Sequence, residues 1–278
     1  MSITSPRTLP AALAGGIALH PLHPAFGAEV TGLDLCGPVP LPLLEVLHDA
    51  LLEHGVLLLR RQAGLPAGLA RGLAALEAPL LDQGLHQAAP ALPLSIGPVP
   101  DAPPPGSAPG PFWHADRSFA AEPALACLVR AEANGGEILF ADQRRALALL
   151  PDTARARLEA LRAEHASPLD RAARAEHPLV RRHPLTGEAA LYASPGFATR
   201  ILNLPAAESR RLLDQAAAAA TAEAVTWRHA WRAGDVLVWD NRSMLHTAFG
   251  AGGFETLRIE GDVPVAAARD AMPWVVAG

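Results

Sequence analysis

The residues of this sequence best placed to do chemistry lie in Trp113-His114-Ala115-Asp116. In extended backbone successive side chains alternate between faces, so His114 and Asp116 project the same way and deliver an imidazole nitrogen and a carboxylate oxygen to one volume. Those are two of the ligands a divalent metal needs. Such a triplet also arises as an ordinary surface hydrogen bond, so a third ligand has to come from elsewhere. The best source is WRAGDVLVWDNRSMLH (231–246), where an apolar run, a polar turn Asp240-Asn241-Arg242 and a new extended stretch lead to His246. Two histidines and a carboxylate drawn from distant strands form the facial triad that leaves three positions open on non-haem Fe(II). A buried, hydrogen-bonded His246 is the plainer alternative. Arg242 reads as a brace for the turn before His246 rather than as a substrate contact.

The elements that must position these residues follow from periodicity. Leu43, Val46, Leu47, Ala50 and Leu51 fall on one helical stripe, with Gly55 as its C-terminal stop. Val56-Leu57-Leu58-Leu59 then has the length and continuity of a buried strand. The stretch GPVPDAPPPGSAPGPF (97–112) is too rich in Pro and Gly for helix or central strand and reads as a loop, either a connection or a cover beside a site. Beyond it, short strand-like runs recur at 124–129, 138–141, 179–183, 189–193, 225–231, 236–239 and 257–263, interrupted by helical inserts at 153–165 and 206–220. Strands with inserted helices, rather than alternating βα units, indicate an α+β architecture around an antiparallel sandwich or barrel. No internal boundary is visible, so one domain over 1–278 is expected, with 1–15 loose.

The composition narrows the class of function. The chain has 278 residues, 50% of them hydrophobic and 18% charged, with a formal net charge of −5. That is the reverse of a disordered composition, and it offers no clustered basic surface for nucleic acid. A small-molecule substrate is the expectation. All 23 positive charges are Arg, a bias of composition rather than a design for a partner. Cys36 and Cys127 are far apart with no CxxC spacing, so both are expected as reduced thiols. The apolar stretch 11–19 behind Arg7 resembles a short signal segment but lacks a clear cleavage site, and no run is long enough for a membrane span. The expected location is cytoplasmic, with no membrane partner and homo-oligomerisation left open.

Six segments, in order, carry a family resemblance: HPAFGAEVTGLDL (23–35), HGVLLLR (54–60), WHADRSF (113–119), GGEILFAD (135–142), HPLVRRHPLTGEAALYASPGFATRI (177–201) and WRAGDVLVWDNRSMLH (231–246). Over about 22–264 the chain resembles the taurine dioxygenase-like (TauD/TfdA) family of Fe(II)/2-oxoglutarate-dependent dioxygenases. The resemblance implies a double-stranded β-helix, or jelly roll, with flanking helices. It also implies Fe(II) held by His114, Asp116 and His246, 2-oxoglutarate as co-substrate, and O2. The implied reaction hydroxylates or oxidatively cleaves a small organic substrate and releases succinate and CO2.

In such enzymes an Arg on the strand after the distal His meets the far carboxylate of 2-oxoglutarate, a planar fork matching a carboxylate. Arg258 is the one Arg in that stretch and is assigned the role; the alternative pairs it with Glu260 along the strand. The family pattern departs here in two places. It usually carries two Arg four apart, and it has Thr in GGDT where this chain has Ile138 in GGEI. Without the second Arg a sulfonate loses an obvious counter-charge, so taurine is not the expected substrate. The resemblance sets His86 near the position of a substrate-contacting His, within a segment that does not align, and Phe197 at a Phe near substrate, with a buried core residue as the equal alternative for Phe197. His20, His23, His48, His54, His165, His177, His183 and His229 have no partner at metal-like spacing and are expected to be surface or structural. Two rival readings keep the fold: a metalloenzyme that does not use 2-oxoglutarate, such as a zinc hydrolase or lyase, and a noncatalytic jelly-roll relative.

Overall fold

The computed structural model describes residues 16–35, 37–82, 94–96, 112–170, 172–250, 252–261 and 263–267. In chain order its elements are β1 (Ala18–Pro21), β2 (Ala28–Thr31), α1 (Leu41–His54), β3 (Val56–Leu59), α2 (Ala67–Asp82), β4 (Leu94–Ile96), β5 (Ala124–Ala131), β6 (Glu137–Asp142), α3 (Gln143–Leu149) and α4 (Asp152–Glu159). There follow β7 (Arg162–Ala166), β8 (Arg174–Pro178), β9 (Val180–Arg182), β10 (Ala189–Leu191), β11 (Ala198–Ile201), α5 (Ala206–Ala220), β12 (Thr226–Ala230), β13 (Val236–Asp240), β14 (Met244–Phe249), β15 (Phe254–Glu260) and β16 (Val265–Ala266).

A seven-stranded sheet runs β1-β2-β3-β13-β5-β15-β4, and a three-stranded sheet runs β12-β6-β14. Strand alternation explains how they stack. On β13, Val236 and Val238 pack with α1 and α2, while Leu237 and Trp239 turn to the other side and meet Ile138 and Phe140 of β6 and Met244 of β14. On β5, Leu128 goes outward, whereas Cys127 and Val129 go inward. The outer face of the small sheet, through Ala141 and Leu245, packs on Leu147, Leu158 and Leu212 of α3, α4 and α5. The result is helices, large sheet, small sheet, helices, which is the expected jelly roll with its flanking helices. Central strands buried on both faces read as unbroken apolar runs, which is why Val56–Leu59 was legible as β3.

The helix around 41–54 ends as expected at Gly55, whose φ of 72° is left-handed and whose N–H bonds Leu51 O. The insert expected as helix over 153–165 is shorter. Helix α4 stops at Glu159, and Arg162–Ala166 becomes β7, paired with β8 and β11. Along β7 only Ala163 and His165 are buried, a period of two that sheet pairing imposes on residues of good helix propensity. Residues 1–15, Cys36 and 97–111 lie outside the described residues. Among those described, no helix is long and apolar enough to cross a membrane.

Candidate metal centre

The two imidazoles are brought together by backbone pairing. His114 forms an isolated antiparallel bridge with His246 of β14, its N–H donating to His246 O at 3.0 Å and its O accepting from His246 N at 2.9 Å. Residues directly opposite in an antiparallel pair show their side chains on the same face. The rings lie 4.3 Å apart between centroids. Asp116 follows two residues later and completes the cluster, its Oδ1 3.6 Å from His114 Nε2 and 3.8 Å from His246 Nε2. The donor atoms of the three residues all lie within 4.8 Å of one another, and all three residues are buried. The expected triad therefore converges.

A test of whether these residues suit a divalent cation is what else they could be bonded to. His114 Nε2, Asp116 Oδ1 and both ring nitrogens of His246 are buried and have no hydrogen-bond partner. Buried polar atoms are otherwise almost always paired, so lone-pair atoms left bare and gathered around one point fit a cation. The other sides of the ligands are held. Phe112 O accepts from His114 Nδ1 at 2.8 Å, which fixes the tautomer with a bare lone pair on Nε2. The Cys127 thiol on β5 donates to Asp116 Oδ2 at 2.7 Å and leaves Oδ1 bare.

Electrostatics set the protonation states of the cluster. Burial alone would push Asp116 up, but His246, His114 and Arg258 together hold its carboxyl well below the usual range. Burial, with His114 beside it, lowers His246 to about 3 and so keeps it neutral. Cys127 is pushed far upward by burial and by the Asp116 charge, so the thiol stays protonated and remains a donor.

Asn241, which the sequence reading placed only within a polar turn, is a positioning residue. Its Oδ1 accepts from Asp116 N at 2.8 Å, and its Nδ2 donates to Asp116 O at 3.0 Å and Ala124 O at 2.7 Å. It thus clamps the backbone of one ligand from the turn that leads to another. Asn241→Ala is expected to weaken Fe(II) or Mn(II) binding by about 10- to 100-fold, as is usual for groups that orient ligands; a titration showing parental affinity would refute this. A second brace comes from the opposite side: Ser194 Oγ accepts from Ala115 N at 3.2 Å, and Ser118 Oγ links Ser194 at 3.1 Å to His165 Nδ1 at 3.0 Å. His165, His177, His183, His229 and His48 are all buried with polar partners, which is the structural role expected of them.

The remaining predicted residues divide. Arg258 is buried on the inner face of β15, directly opposite Cys127, and its charge reaches Asp116 and His246. Glu260, the alternative partner, accepts from Arg117 Nη1 at 2.9 Å. Phe197 packs edge-on to His114 at 5.6 Å and also meets Phe112 at 5.4 Å and Phe119 at 5.1 Å. His86 lies outside the described residues.

Residues 18–256 match the model of the family described as taurine catabolism dioxygenase TauD, TfdA family. The match stops short of Arg258. The chain is 29% identical to an alpha-ketoglutarate-dependent sulfate ester dioxygenase of Pseudomonas putida, over 95% of this chain and 96% of that protein. It is 34% identical to an alpha-ketoglutarate-dependent 2,4-dichlorophenoxyacetate dioxygenase of Cupriavidus pinatubonensis, over 49% of this chain and 53% of that protein. Among solved structures, a taurine dioxygenase from Burkholderia xenovorans superposes with a TM-score of 0.75 at 29% identity, covering 90% of this chain and 91% of the other. The crystal structure of AAD-2 in complex with Mn(II) and N-oxalylglycine gives a TM-score of 0.73 at 25% identity, covering 90% of this chain and 99% of the other.

Proposed function

The chain belongs to the TauD/TfdA family of alpha-ketoglutarate-dependent, non-haem Fe(II) dioxygenases, and from that membership we propose that it hydroxylates or oxidatively cleaves a small organic substrate at a metal held by His114, Asp116 and His246. The observation that carries this reading is the bare set of buried donor atoms around one point. When bound, Fe(II) and 2-oxoglutarate supply the reduction of O2, with decarboxylation of the keto acid to succinate and CO2 and oxidation of a substrate C–H bond.

The chain's own contribution is orientation, charge and exclusion of water. Phe112 O and the Cys127 thiol turn a lone pair of His114 and Oδ1 of Asp116 toward the metal. Asp116 carries the one formal charge among the ligands, so the loaded site keeps a net positive charge that suits an anionic keto acid. Arg258, on the inner face of β15, is the group that holds the keto acid's far carboxylate. Phe112 and Phe197 flank His114 with apolar surface, and Phe119 packs on Phe197. That wall favours a substrate that presents an apolar or aromatic portion to the metal and disfavours the compact, doubly charged taurine.

The test is anaerobic titration of 2-oxoglutarate into the Fe(II)-loaded protein, read by the weak visible charge-transfer band of the chelate and followed by O2-dependent succinate release. Arg258→Ala is expected to weaken keto-acid binding by about 10- to 100-fold, the worth of a hydrogen bond between charged groups, while leaving metal affinity unchanged. If the variant binds the keto acid as tightly as the parent, Arg258 does not hold it. Metal-dependent turnover without O2 consumption or succinate would overturn the dioxygenase reading itself.

A further inference from the structure

Among the described residues, two threonine hydroxyls are buried without a hydrogen bond, those of Thr247 and Thr256, and the second lies on the strand that carries Arg258. Thr256 on β15 is 3% exposed, and its Oγ1 makes no hydrogen bond. Its direction follows from alternation: Leu257 and Ile259 pack outward with α1 and α2, so Thr256 and Arg258 turn inward between the two sheets. Valine has the same shape without the unsatisfied hydroxyl, so packing alone does not call for threonine here.

The register places this hydroxyl at a definite depth. At the metal, Arg258 and Trp239 both lie opposite Cys127 on the large sheet, while His246 lies opposite Phe140 on the small one. The Trp239 ring, at 5.4 Å from Phe140 and 4.9 Å from His246, joins the two sheets at this level. Farther along, Phe254 of β15 meets Trp231, which follows β12 beside the start of β6, at 5.2 Å. Between these two closures lies one intermediate level. There Thr256 and Leu237 face Val129 on the large sheet, and Ala248 faces Ile138 on the small sheet. Two strand residues span about 6.7 Å, close to the reach of a five-carbon diacid bound to the metal by its keto end.

We propose that Thr256 donates its hydroxyl to the far carboxylate of 2-oxoglutarate beside Arg258, taking over from the opposite wall of the sandwich the hydroxyl that Ile138 cannot supply. The proposal rests on the reading of the cleft as a keto-acid site. The small sheet is apolar at this level, with Ile138 and Ala248, and the large sheet carries the hydroxyl two residues from the guanidinium. A carboxylate offers acceptor positions for both a bidentate Arg and one further donor.

Thr256→Val tests this by the anaerobic charge-transfer titration and, independently, by calorimetric binding of 2-oxoglutarate to the Mn(II)-loaded protein. The dissociation constant for the keto acid is expected to rise about tenfold, the factor associated with one hydrogen bond to a charged acceptor, with metal affinity unchanged. Thr256→Ser is expected to bind within about twofold of the parent, since it keeps the donor. Thermal unfolding of metal-free Thr256→Val is expected at or above the parental temperature, because the change removes an unpaired buried hydroxyl. Parental keto-acid affinity in Thr256→Val overturns the proposal, and so does a clear loss of metal-free stability, which would make the hydroxyl structural. Failure of the parent itself to bind 2-oxoglutarate overturns the broader reading and this one with it.

Discussion

Asp116→Ala is expected to abolish stable metal binding and to lower turnover by about three orders of magnitude or more, since it removes both a ligand and the only ligand charge. Asp116 Oδ1 is the atom that both imidazole Nε2 atoms approach, at 3.6 Å and 3.8 Å, and among the described residues it is the carboxylate that completes the cluster. Cys127 holds this carboxylate by one oxygen, and Asn241 holds the backbone of the same residue. The effect can be separated from misfolding through ligand linkage. A metal that binds only the folded parent raises its stability by about 2.7 kcal/mol at a hundredfold excess over the dissociation constant. The expected result is a rise in unfolding temperature when Mn(II) is added to the parent, and none for Asp116→Ala. A variant that kept the parental response to Mn(II) would remove Asp116 from the metal site.

That convergence was legible because it rests on short-range rules. Alternation places His114 and Asp116 together, and an apolar run ending in a polar turn delivers His246 at the start of a strand. The unbroken run Val56–Leu59 and the stripe of α1 with its Gly55 stop were likewise visible because burial on two faces or one leaves a direct trace in residue type. What escaped depends on partners distant in the chain. Cys127 looks like any buried strand residue until β5 is laid beside the turn carrying Asp116, and Asn241 looks like any turn residue until its amide is seen to span Asp116 and Ala124. The strand β7 escaped for the same reason. Residues Arg162–Ala166 carry no apolar alternation beyond Ala163, and only pairing with β8 and β11 makes them extended. Thr256 becomes conspicuous only once the register shows it buried and unpaired.

Arg242→Met is expected to destabilise the protein by about 3–5 kcal/mol, the cost of leaving buried partners of an ion pair uncompensated. Arg242 is fully buried between two carboxylates. Its Nη1 and Nη2 donate to Glu77 of α2 at 2.6 Å and 2.9 Å, and its Nε and Nη2 donate to both oxygens of Asp240, each at 2.9 Å. His48 bonds Glu77 at 3.1 Å and His183 bonds Asp240 at 2.8 Å, so the cluster ties α1, α2 and the strand end at His183 to the turn before His246. Burial raises the cost of charging each acid, yet Arg242 holds Asp240 far below the usual carboxylate range and Glu77 below it. Without the guanidinium, burial acts alone and both acids shift upward. The sign of the pH dependence follows. In the parent, the stability contributed by these depressed acids is present at neutral pH and is lost only as pH falls through their low folded values. In Arg242→Met the acids take up protons at higher pH, so the deficit relative to the parent should be largest near pH 7.5 and shrink toward pH 5. Denaturant unfolding at both values checks this, and a deficit that grows on acidification would refute it. Glu77→Gln added to Arg242→Met should recover part of the loss, because it removes one of the two stranded charges. Metal affinity should fall about 10- to 100-fold in Arg242→Met, as the brace on the turn that aims His246 is gone.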